Sequence, residues 1–210
     1  MRENYIEVWD RIAPKFAKAK VSKTHPEQEK ILLEEFEKGL SVLDVGCANG
    51  KHVFFLASQG FKATGVDLSN QMIKIAKNEL KKKKLKANFV VGDATKLDFP
   101  DKSFDYVIAM GNSIGSIPSA KSRLKALKEL TRIAREKIIL ELVKSDTTKE
   151  TKAKYKFSNE TYIVKRWYEK EISDIFNKLG YKVNIKKGRK ALIANYFFYV
   201  IINLKNSRCL

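Results

Sequence analysis

The stretch from Val42 to Gly50, VLDVGCANG, constrains the fold of this chain more than any other. Its first half is an apolar run that predicts a short buried strand, and its second half is a glycine-rich turn. A helical pattern follows from Lys51 to Gln59. Glycine lets the backbone approach a ligand closely, and a helix N-terminus offers unpaired N–H groups. The strand, turn and helix together therefore predict a site for a nucleotide-like ligand.

The chain has 210 residues, 44% of them hydrophobic and 31% charged, which predicts one soluble globular domain. The longest apolar run, Ala191 to Ile202, is shorter than the roughly 18 residues of a membrane span. The N-terminus shows no apolar signal core, so we expect a cytoplasmic location. With two cysteines, Cys47 and Cys209, and two histidines, we expect neither a disulfide framework nor a metal site.

Predicted strands alternate with helices through most of the chain. The first five strands cover residues 41–45, 62–67, 87–91, 104–110 and 137–143. This alternation predicts a parallel α/β sheet with right-handed crossovers. Two further strands, 181–185 and 191–203, are predicted to form a hairpin with its turn at 186–190, so that the last strand runs antiparallel.

The N-terminal segment 3–19 carries apolar residues at roughly helical spacing, interrupted at Pro14. The pattern predicts an amphipathic helix that breaks and then continues. Two placements are open. The helix packs on the edge of the core, or it forms a flap over the ligand with Tyr5, Trp9 and Phe16 facing inward. A second helix is predicted to start within residues 24–27 and to end at Gly39.

An acidic residue stands where a ribose-binding carboxylate is expected. Asp67 ends the second strand, 21 residues after Gly46 and near the ~20-residue spacing of dinucleotide sites. The turn itself is G-x-A-x-G and not G-x-G-x-x-G, which disfavours a pyrophosphate and hence a dinucleotide-dependent reductase. Asp44 would repel a phosphate but would suit an ammonium or sulfonium group.

These motifs resemble those of the class I S-adenosylmethionine-dependent methyltransferases, with a domain of type 11 or type 25. Four motifs match in order over about residues 35–143: DVGCANG at 44–50, GVDLS at 65–69, GDA at 92–94 and FDYVI at 104–108. Ala48 takes the place of the usual central glycine. The resemblance implies a Rossmann-like, doubly wound α/β sheet of seven strands, mostly parallel with an antiparallel last strand, in the order 3-2-1-4-5-7-6.

The resemblance also implies the donor, S-adenosyl-L-methionine, with S-adenosyl-L-homocysteine as product. Asp44 would orient its methionine end, Asp67 would bind the ribose hydroxyls, and Asp93 would accept from the adenine amine. Leu68 would pack on the adenine, and the carbonyls of Met110 and Gly111 would border the methionine moiety. The cofactor-binding residues implied are Asp44, Gly46, Cys47, Ala48, Gly50, Asp67, Leu68, Asp93, Ala94, Met110 and Gly111.

The acceptor is less determined, because methyl transfer from a sulfonium mainly needs orientation and exclusion of water. Residues 111–115, GNSIG, lack the Asn/Asp-Pro-Pro-aromatic tetrad of amino-methylating nucleic-acid enzymes and resemble small-molecule N-methyltransferases of the glycine type. We expect a small-molecule acceptor with a nitrogen or oxygen nucleophile. The candidate acceptor contacts are Asn112 and Ser113, and the candidate bases are His52, Tyr5 and Tyr106.

RNA is the alternative acceptor, because the formal net charge is +18. Segment 144–190 interleaves basic and aromatic residues, a combination that suits single-stranded nucleic acid. The N-terminal residues 5–16, with Asn49 to Lys51, also resemble tRNA wobble-uridine methyltransferases. The other explanation of this segment is a substrate lid with aromatic residues in its core and solvated lysines. The run Lys81 to Lys84 is expected at the opposite edge of the sheet, away from the ligand.

We therefore expect a single methyltransferase domain over residues 1–210. It would comprise a helical cap (1–39), a cofactor-binding core (40–143) and a substrate lid with the C-terminal hairpin (144–210). A different class of function is a non-catalytic, cofactor-binding regulatory partner. The sequence leaves open the acceptor, the oligomeric state and any partner subunit.

Overall fold

A computed structural model describes residues 2–18, 23–145, 151–154, 161–190 and 196–205. The helices are α1 (Arg2–Lys18), α2 (Pro26–Glu35), α3 (Lys51–Ser58), α4 (Asn70–Lys83), α5 (Ala120–Ile133) and α6 (Glu169–Lys178), with a 3-10 turn at Ile114–Ser116. The strands are β1 (Ser41–Val45), β2 (Lys62–Asp67), β3 (Asn88–Val91), β4 (Phe104–Ala109), β5 (Ala134–Val143), β6 (Thr151–Lys154), β7 (Thr161–Val164), β8 (Val183–Lys190) and β9 (Tyr196–Asn203).

The main sheet has the strand order β3-β2-β1-β4-β5-β9-β8. Strands β1 to β5 run parallel, and β9 runs antiparallel to both of its neighbours. With β8 and β9 as its sixth and seventh strands, this is the order 3-2-1-4-5-7-6, and the predicted fold class is confirmed. Strands β6 and β7 form a separate two-stranded sheet that the sequence pattern did not predict.

The carboxyl ends of β1 to β5 meet at one edge of the sheet, here called the carboxyl edge. The strand order reverses between β1 and β4, and parallel α/β sheets bind ligands at such a switch point. The glycine-rich turn after β1 lies there. The fold therefore presents this turn where a ligand site is expected.

Helices cover both faces of the sheet with buried apolar side chains. On one face Leu32 of α2, Phe54 of α3 and Ile73 of α4 pack together. On the other face Leu127 of α5 and Phe176 of α6 do the same. Among the described residues, no helix is both long and apolar enough to cross a membrane. The division into cap, core and lid stays a prediction.

Helix α1 runs through Pro14 as one helix, so the predicted break at this residue is wrong. Proline removes one backbone hydrogen bond from a helix interior. Directly before it, Ile12 and Ala13 are fully buried against Met72 of α4. This packing holds the helix straight across the missing hydrogen bond.

Helix α1 also reaches the glycine-rich turn. Trp9 and Ala48 both pack against the cluster of α1 and α4 side chains. Tyr5 lies edge-on to Trp9, with ring centroids 6.1 Å apart. The helix thus packs on the core edge and contacts the turn, and a flap over the ligand stays a prediction. The side chain of Phe16 lies outside the described residues.

Residues 186–190, predicted as a turn, belong to β8, which extends to Lys190. The backbone of this polar segment pairs with the buried strand β9. Lys186 is further held by an ion pair of 2.8 Å with Glu35 of α2. Pairing with a long apolar neighbour therefore keeps lysine-rich residues in a strand. Because β8 runs parallel to β5, its end lies at the carboxyl edge.

Helix α2 begins at Pro26 with His25 as its N-cap, within the predicted start, but it ends at Glu35 and not at Gly39. Phe36 turns into an extended conformation and stacks on the ring of Tyr106, with centroids 4.1 Å apart. Burial of this aromatic pair ends the helix before the glycine is reached.

Asp105 ties the amino ends of β4 and β1 together, far from the carboxyl edge. It accepts hydrogen bonds from the backbone N–H of Ser41 at 2.9 Å and from its hydroxyl at 2.7 Å, and Arg135 donates to the other carboxylate oxygen. Burial by itself raises the pKa of Asp105, but the hydrogen bonds from Ser41 and the charge of Arg135 outweigh it and lower the pKa below 3.8.

We expect Asp105→Ala to lower the free energy of unfolding by about 1–3 kcal/mol at pH 7, because it leaves buried donors unpaired. The folded pKa is depressed, so this contribution is present above the unfolded pKa and is lost as the pH falls through the folded pKa. Urea unfolding at pH 7 and pH 3 measures both effects.

The control is Asp101→Ala, which removes an exposed ion pair of 2.7 Å with Arg132. Such a pair contributes less than about 1 kcal/mol. Equal losses in the two variants, or a loss at Asp105 that does not shrink at acid pH, would contradict the role given to Asp105.

Candidate active site

The turn after β1 has a left-handed backbone at three alternate residues. The φ angles are +76° at Gly46, +48° at Ala48 and +86° at Gly50. Glycine adopts this region without steric cost, whereas an alanine there is strained by about 1–2 kcal/mol. The backbone path of the turn therefore imposes some strain on Ala48.

The two glycines of the turn also permit close packing. A Cβ atom on Gly46 would lie 2.6 Å from Cβ of Ser113, in the loop after β4. A Cβ atom on Gly50 would lie 2.6 Å from the ring of Phe89 in β3. Only glycine fits at these positions, so the turn is fixed against the ends of both β3 and β4.

The carboxylate of Asp67 braces the turn from the end of β2. One oxygen accepts from the backbone N–H of Ala48 at 2.8 Å, and the other accepts from that of Ser69 at 2.9 Å. Burial raises the pKa of Asp67 to about 6; the two backbone hydrogen bonds oppose this shift, and the nearby charges of Asp44 and Asp10 add to it. The carboxylate is thus ionised at neutral pH and close to titration.

Asp44, near the end of β1, is buried without a hydrogen bond. It is 1% exposed, and neither carboxylate oxygen accepts a hydrogen bond from the residues that the structure describes. Nδ1 of His52, itself only 4% exposed, lies 3.6 Å from one of these oxygens. A buried carboxylate without donors is costly, so the site is suited to a ligand that brings positive charge or N–H groups.

The loop after β4 is fixed by its own polar side chains. The hydroxyl of Ser113 donates to the carbonyl of Val45 at 3.0 Å. The side-chain amide of Asn112 donates to the carbonyl of Lys165 at 3.0 Å, and its oxygen accepts from the backbone of Val143 at 3.3 Å. Ser113 therefore joins the loop to β1, and Asn112 joins it to the segment after β7.

A fully buried carboxylate, Glu141 in β5, holds this edge of the sheet together. One oxygen accepts from the side chain of Gln28 and from the backbone N–H of Gly111, both at 2.7 Å. The other accepts from Arg189 at 3.1 Å and from the hydroxyl of Tyr199 at 3.3 Å. Sequence reasoning missed this residue. The sequence feature that could have identified it is an acidic residue inside the apolar run 138–143.

Comparison with known proteins agrees with this geometry. The methyltransferase domain family matches residues 42–137. The 2-methyl-6-phytyl-1,4-hydroquinone methyltransferase of Synechocystis is 35% identical over 59% of this chain and 38% of its own length. The demethylmenaquinone methyltransferase of Listeria welshimeri is 29% identical over 62% of this chain and 58% of its own length. The chain thus spans less than two thirds of either relative.

Solved structures show the same fold. A SAM-dependent methyltransferase from Methanosarcina mazei superposes with a TM-score of 0.74 at 21% identity, over 86% of this chain and 98% of that one. The four predicted motifs all lie within residues 42–137, which the methyltransferase domain family matches, so the recognition of such a domain from these motifs is confirmed for this part of the chain.

The methyltransferase fold brings most of the predicted cofactor residues to the carboxyl edge. The turn residues, Asp44 and Asp67 lie together, and Gly111 follows β4 beside them. The N–H of Gly92 donates to the carbonyl of Asp67 at 2.9 Å, which sets Asp93 and Ala94 next to the end of β2. Asp93 accepts from the N–H of Thr95 at 2.8 Å. Leu68, the predicted adenine contact, is half-buried between Asp67 and Ser69.

Two other predicted cofactor residues, Cys47 and Met110, have buried side chains. Burial and the charges of Asp67 and Asp44 raise the pKa of the Cys47 thiol, so it stays protonated. The carbonyl of Met110 accepts from the N–H of Ser113 at 3.2 Å. Cys47 therefore fills space beside the turn, and the structure gives it no chemical role.

The three candidate bases lie in different parts of the fold. The hydroxyl of Tyr106 accepts from the N–H of Glu37 at 3.2 Å on the helix-covered face, so this residue is removed from the edge and is not a base. His52 of α3 is buried beside Asp44, with Nδ1 3.6 Å from one carboxylate oxygen. Tyr5 lies on α1 against Trp9.

Asp10 of α1 is a second residue that sequence reasoning missed. Its carboxylate accepts from the hydroxyl of Ser69 and, at 3.3 Å, from the N–H of Gln71. Ser69 in turn caps α4 by accepting from the N–H of Met72 at 3.1 Å. Asp10 therefore fixes α1 to the loop that carries Asp67. An acid in an amphipathic helix gave no signal for this contact.

The basic and aromatic segment is only partly described. The side chains of Lys152, Lys154, Lys156, Tyr155, Phe157 and Tyr162 lie outside the described part of the chain. Lys165 is buried, forms an ion pair of 2.9 Å with Glu171 and lies over the ring of Trp167. Trp167 is itself buried in the core. Neither residue is available to stack on or pair with nucleic acid.

The residues present fit the donor of this family. Asp44 offers a buried carboxylate without donors, Asp67 offers a second carboxylate with free lone pairs, and the turn offers close backbone approach. Together they can hold a cationic ligand with hydroxyl groups.

We expect Glu141→Gln to lower the free energy of unfolding by about 2–5 kcal/mol, because an amide would replace one acceptor of a buried charged network. The control on the same strand is Glu136→Gln, which removes a more exposed pair of 2.7 Å with Lys205 and should cost less than about 1 kcal/mol. Chemical denaturation compares the two. A tolerated Glu141→Gln would contradict the central role of this carboxylate.

Proposed function

We propose that the chain transfers a methyl group from S-adenosylmethionine to a nitrogen or oxygen nucleophile of a small molecule. The observation that carries this proposal is the buried carboxylate of Asp44, which lies without donors beside a glycine-rich turn braced by Asp67. A ligand with an ammonium group and two neighbouring hydroxyls satisfies both carboxylates.

The donor would span the carboxyl edge from β1 to β3. Asp44 binds its ammonium group, Asp67 accepts from the ribose hydroxyls, and Leu68 packs on the adenine. Asp93 and the N–H of Ala94 recognise the adenine edge. When bound, the donor supplies an activated methyl group on a sulfonium. The chain's own contribution is to orient the reactants and to exclude water, which raises their effective concentration.

The acceptor would approach from the side of the loop after β4. Helix α1, with Trp9, contacts the turn from the side of α4 and restricts access by solvent. The polar groups of Asn112 and Ser113 are engaged within the fold, so we propose them as residues that position the loop. His52 and Tyr5 remain the candidate bases for an acceptor that arrives protonated.

A small acceptor is favoured over RNA by the packing of Lys165 and Trp167 inside the fold. The two curated relatives are named for quinone-type acceptors, which are small molecules. The net charge of +18 is the observation that supports the RNA alternative.

Calorimetric titration with S-adenosylmethionine and S-adenosylhomocysteine tests the donor assignment. We expect micromolar binding, and a loss of about 100-fold or more in Asp67→Ala, because both ribose hydroxyls lose their charged acceptor. Unchanged affinity in this variant would overturn the assignment of the ribose site.

The acceptor is tested by repeating the titration with bulk tRNA at two salt concentrations. Tight RNA binding that weakens steeply with salt would promote the RNA alternative. Turnover to S-adenosylhomocysteine with any acceptor would exclude a non-catalytic regulatory partner.

Donor affinity should fall as the pH drops through about 6, the pKa of Asp67. The ionised carboxylate accepts from the ribose hydroxyls, whereas the protonated acid loses acceptor capacity. Affinity should be constant above pH 7 and should weaken by at most about tenfold per pH unit below 6. Titrations of S-adenosylhomocysteine between pH 5 and 8 measure this slope. Asp67→Asn should bind weakly with a flat profile, and a flat profile in the wild type would contradict the prediction.

A further inference from the structure

Arg189 of β8 is a cation at the carboxyl edge, and the donor site described above does not use it. Its Nε donates to the fully buried carboxylate of Glu141 at 3.1 Å. The same carboxylate accepts from the backbone N–H of Gly111 at 2.7 Å. A single carboxylate therefore joins Arg189 to the loop after β4, the side from which the acceptor is proposed to approach.

An irregularity in the pairing of β8 with β9 sets the direction of the Arg189 side chain. The register shifts between Lys187 and Lys190. In a regular strand, Arg189 would share the face of Ile185, which packs against the core below α5 and α6. Arg189 instead bonds to Glu141, to which α2 on the opposite face also donates. The irregularity thus redirects the side chain to the other face of the sheet, as bulges beside active sites do.

The ring of Phe197 in β9 fixes the guanidinium group of Arg189. The guanidinium carbon Cζ lies over this ring, 4.1 Å from its centroid, and Phe197 is buried. An arginine that lies on an aromatic ring and is bonded at Nε to a carboxylate has lost most of its side-chain freedom. The group is therefore ordered before any ligand arrives, which lowers the entropic cost of binding.

The two terminal nitrogens of Arg189 make no hydrogen bond to the residues that the structure describes. Arginine has five N–H donors, and here only Nε donates within the described chain. The side chain is 20% exposed, and neither terminal nitrogen is among the buried polar atoms that lack a partner. Nη1 and Nη2 are therefore open to solvent. Two parallel N–H groups of this fork match the two oxygens of a carboxylate.

Arg132 shows how the same chain uses an arginine for structure alone. Its Nε, Nη1 and Nη2 all donate within the fold, to Glu129 and to the carbonyls of Phe99 and Leu97. Arg189 is less exposed, at 20% against 30%, yet it donates only from Nε. Pairing with Glu141 explains that one nitrogen. It does not explain two partly buried nitrogens without a protein acceptor, which indicate a ligand.

We propose that Arg189 binds a carboxylate group of the methyl acceptor, so that the acceptor is a small organic acid. Nη1 and Nη2 donate to its two oxygens, while Glu141 and Phe197 hold the guanidinium group in place. The carboxylate anchors the acceptor, and the nitrogen or oxygen that receives the methyl group is a separate part of the same molecule. This inference rests on the proposed function, because it names the class of acceptor for the same active site.

The test uses 4-fluorobenzoate and its neutral isostere 4-fluorobenzamide, observed by fluorine NMR on protein saturated with S-adenosylhomocysteine. The wild type should bind the benzoate about tenfold more tightly, since a bidentate pair of charged groups is stronger than neutral hydrogen bonds. Arg189→Gln should weaken the benzoate by about tenfold and leave the benzamide unchanged. Arg189→Lys keeps the charge but lacks the fork, so it should also lose the preference, and it replaces the glutamine variant if that variant fails to fold.

The matched control is Lys187→Gln on the same strand. Lys187 is exposed and likewise lies over an aromatic ring, with its ammonium group 5.1 Å from the centroid of Tyr196. Its loss changes the net charge as much as the loss of Arg189. This variant should bind both probes like the wild type. Thermal unfolding of each variant checks that it is folded.

The outcomes separate the two proposals. If the wild type does not bind S-adenosylhomocysteine, the proposed function itself is wrong. If it binds S-adenosylhomocysteine but binds neither probe, or binds both equally, the acid acceptor is overturned while the donor site stands. Unchanged benzoate affinity in Arg189→Gln would overturn the role of this residue. Equal losses in Arg189→Gln and Lys187→Gln would also overturn it, because they would show a general effect of charge.

Discussion

The hydrogen bonds of the Asp67 carboxylate hold the turn after β1, and the rest of the site depends on that turn. One side chain accepts from the backbone of Ala48 at the tip of the turn and from Ser69 at the start of α4. Through Ser69 it is linked to Asp10, and so to α1. The position of the turn, the start of α4 and the docking of the N-terminal helix are therefore coupled through a single carboxylate that is costly to bury.

Two more carboxylates are buried near the carboxyl edge. The hydrogen bonds that each accepts distinguish a structural role from a ligand-binding role. Glu141 accepts four hydrogen bonds from four parts of the chain, which makes it a structural centre. Asp44 accepts none from the described residues. Because a buried charge without partners destabilises a fold, its presence is best explained by a ligand that supplies them.

The lysine excess of the chain is spread over several roles. Lys81 to Lys84 end α4 in solvent, whereas Lys186 pairs with Glu35 and Lys165 pairs with Glu171. Lys137 likewise binds Glu35. Lys186, Lys165 and Lys137 are thus engaged with acids of the fold. The total charge alone is therefore a poor guide to a partner.

The sequence by itself determined the alternation of strands and helices and the residues of the glycine-rich turn, because apolar periodicity and glycine spacing are local properties. The strand order came from the resemblance of the four motifs to the class I methyltransferases. The sequence also placed β1 and β2 at their observed residues and identified Asp44 and Asp67. Tertiary structure decided that Pro14 stays inside a helix, that residues 186–190 form a strand, and that His52 is buried. It also decided the roles of Glu141 and Asp10. Those outcomes depend on partners that are distant in the chain. The free-energy cost of burying a charge, or of losing a hydrogen bond, is fixed only once folding has brought these partners together.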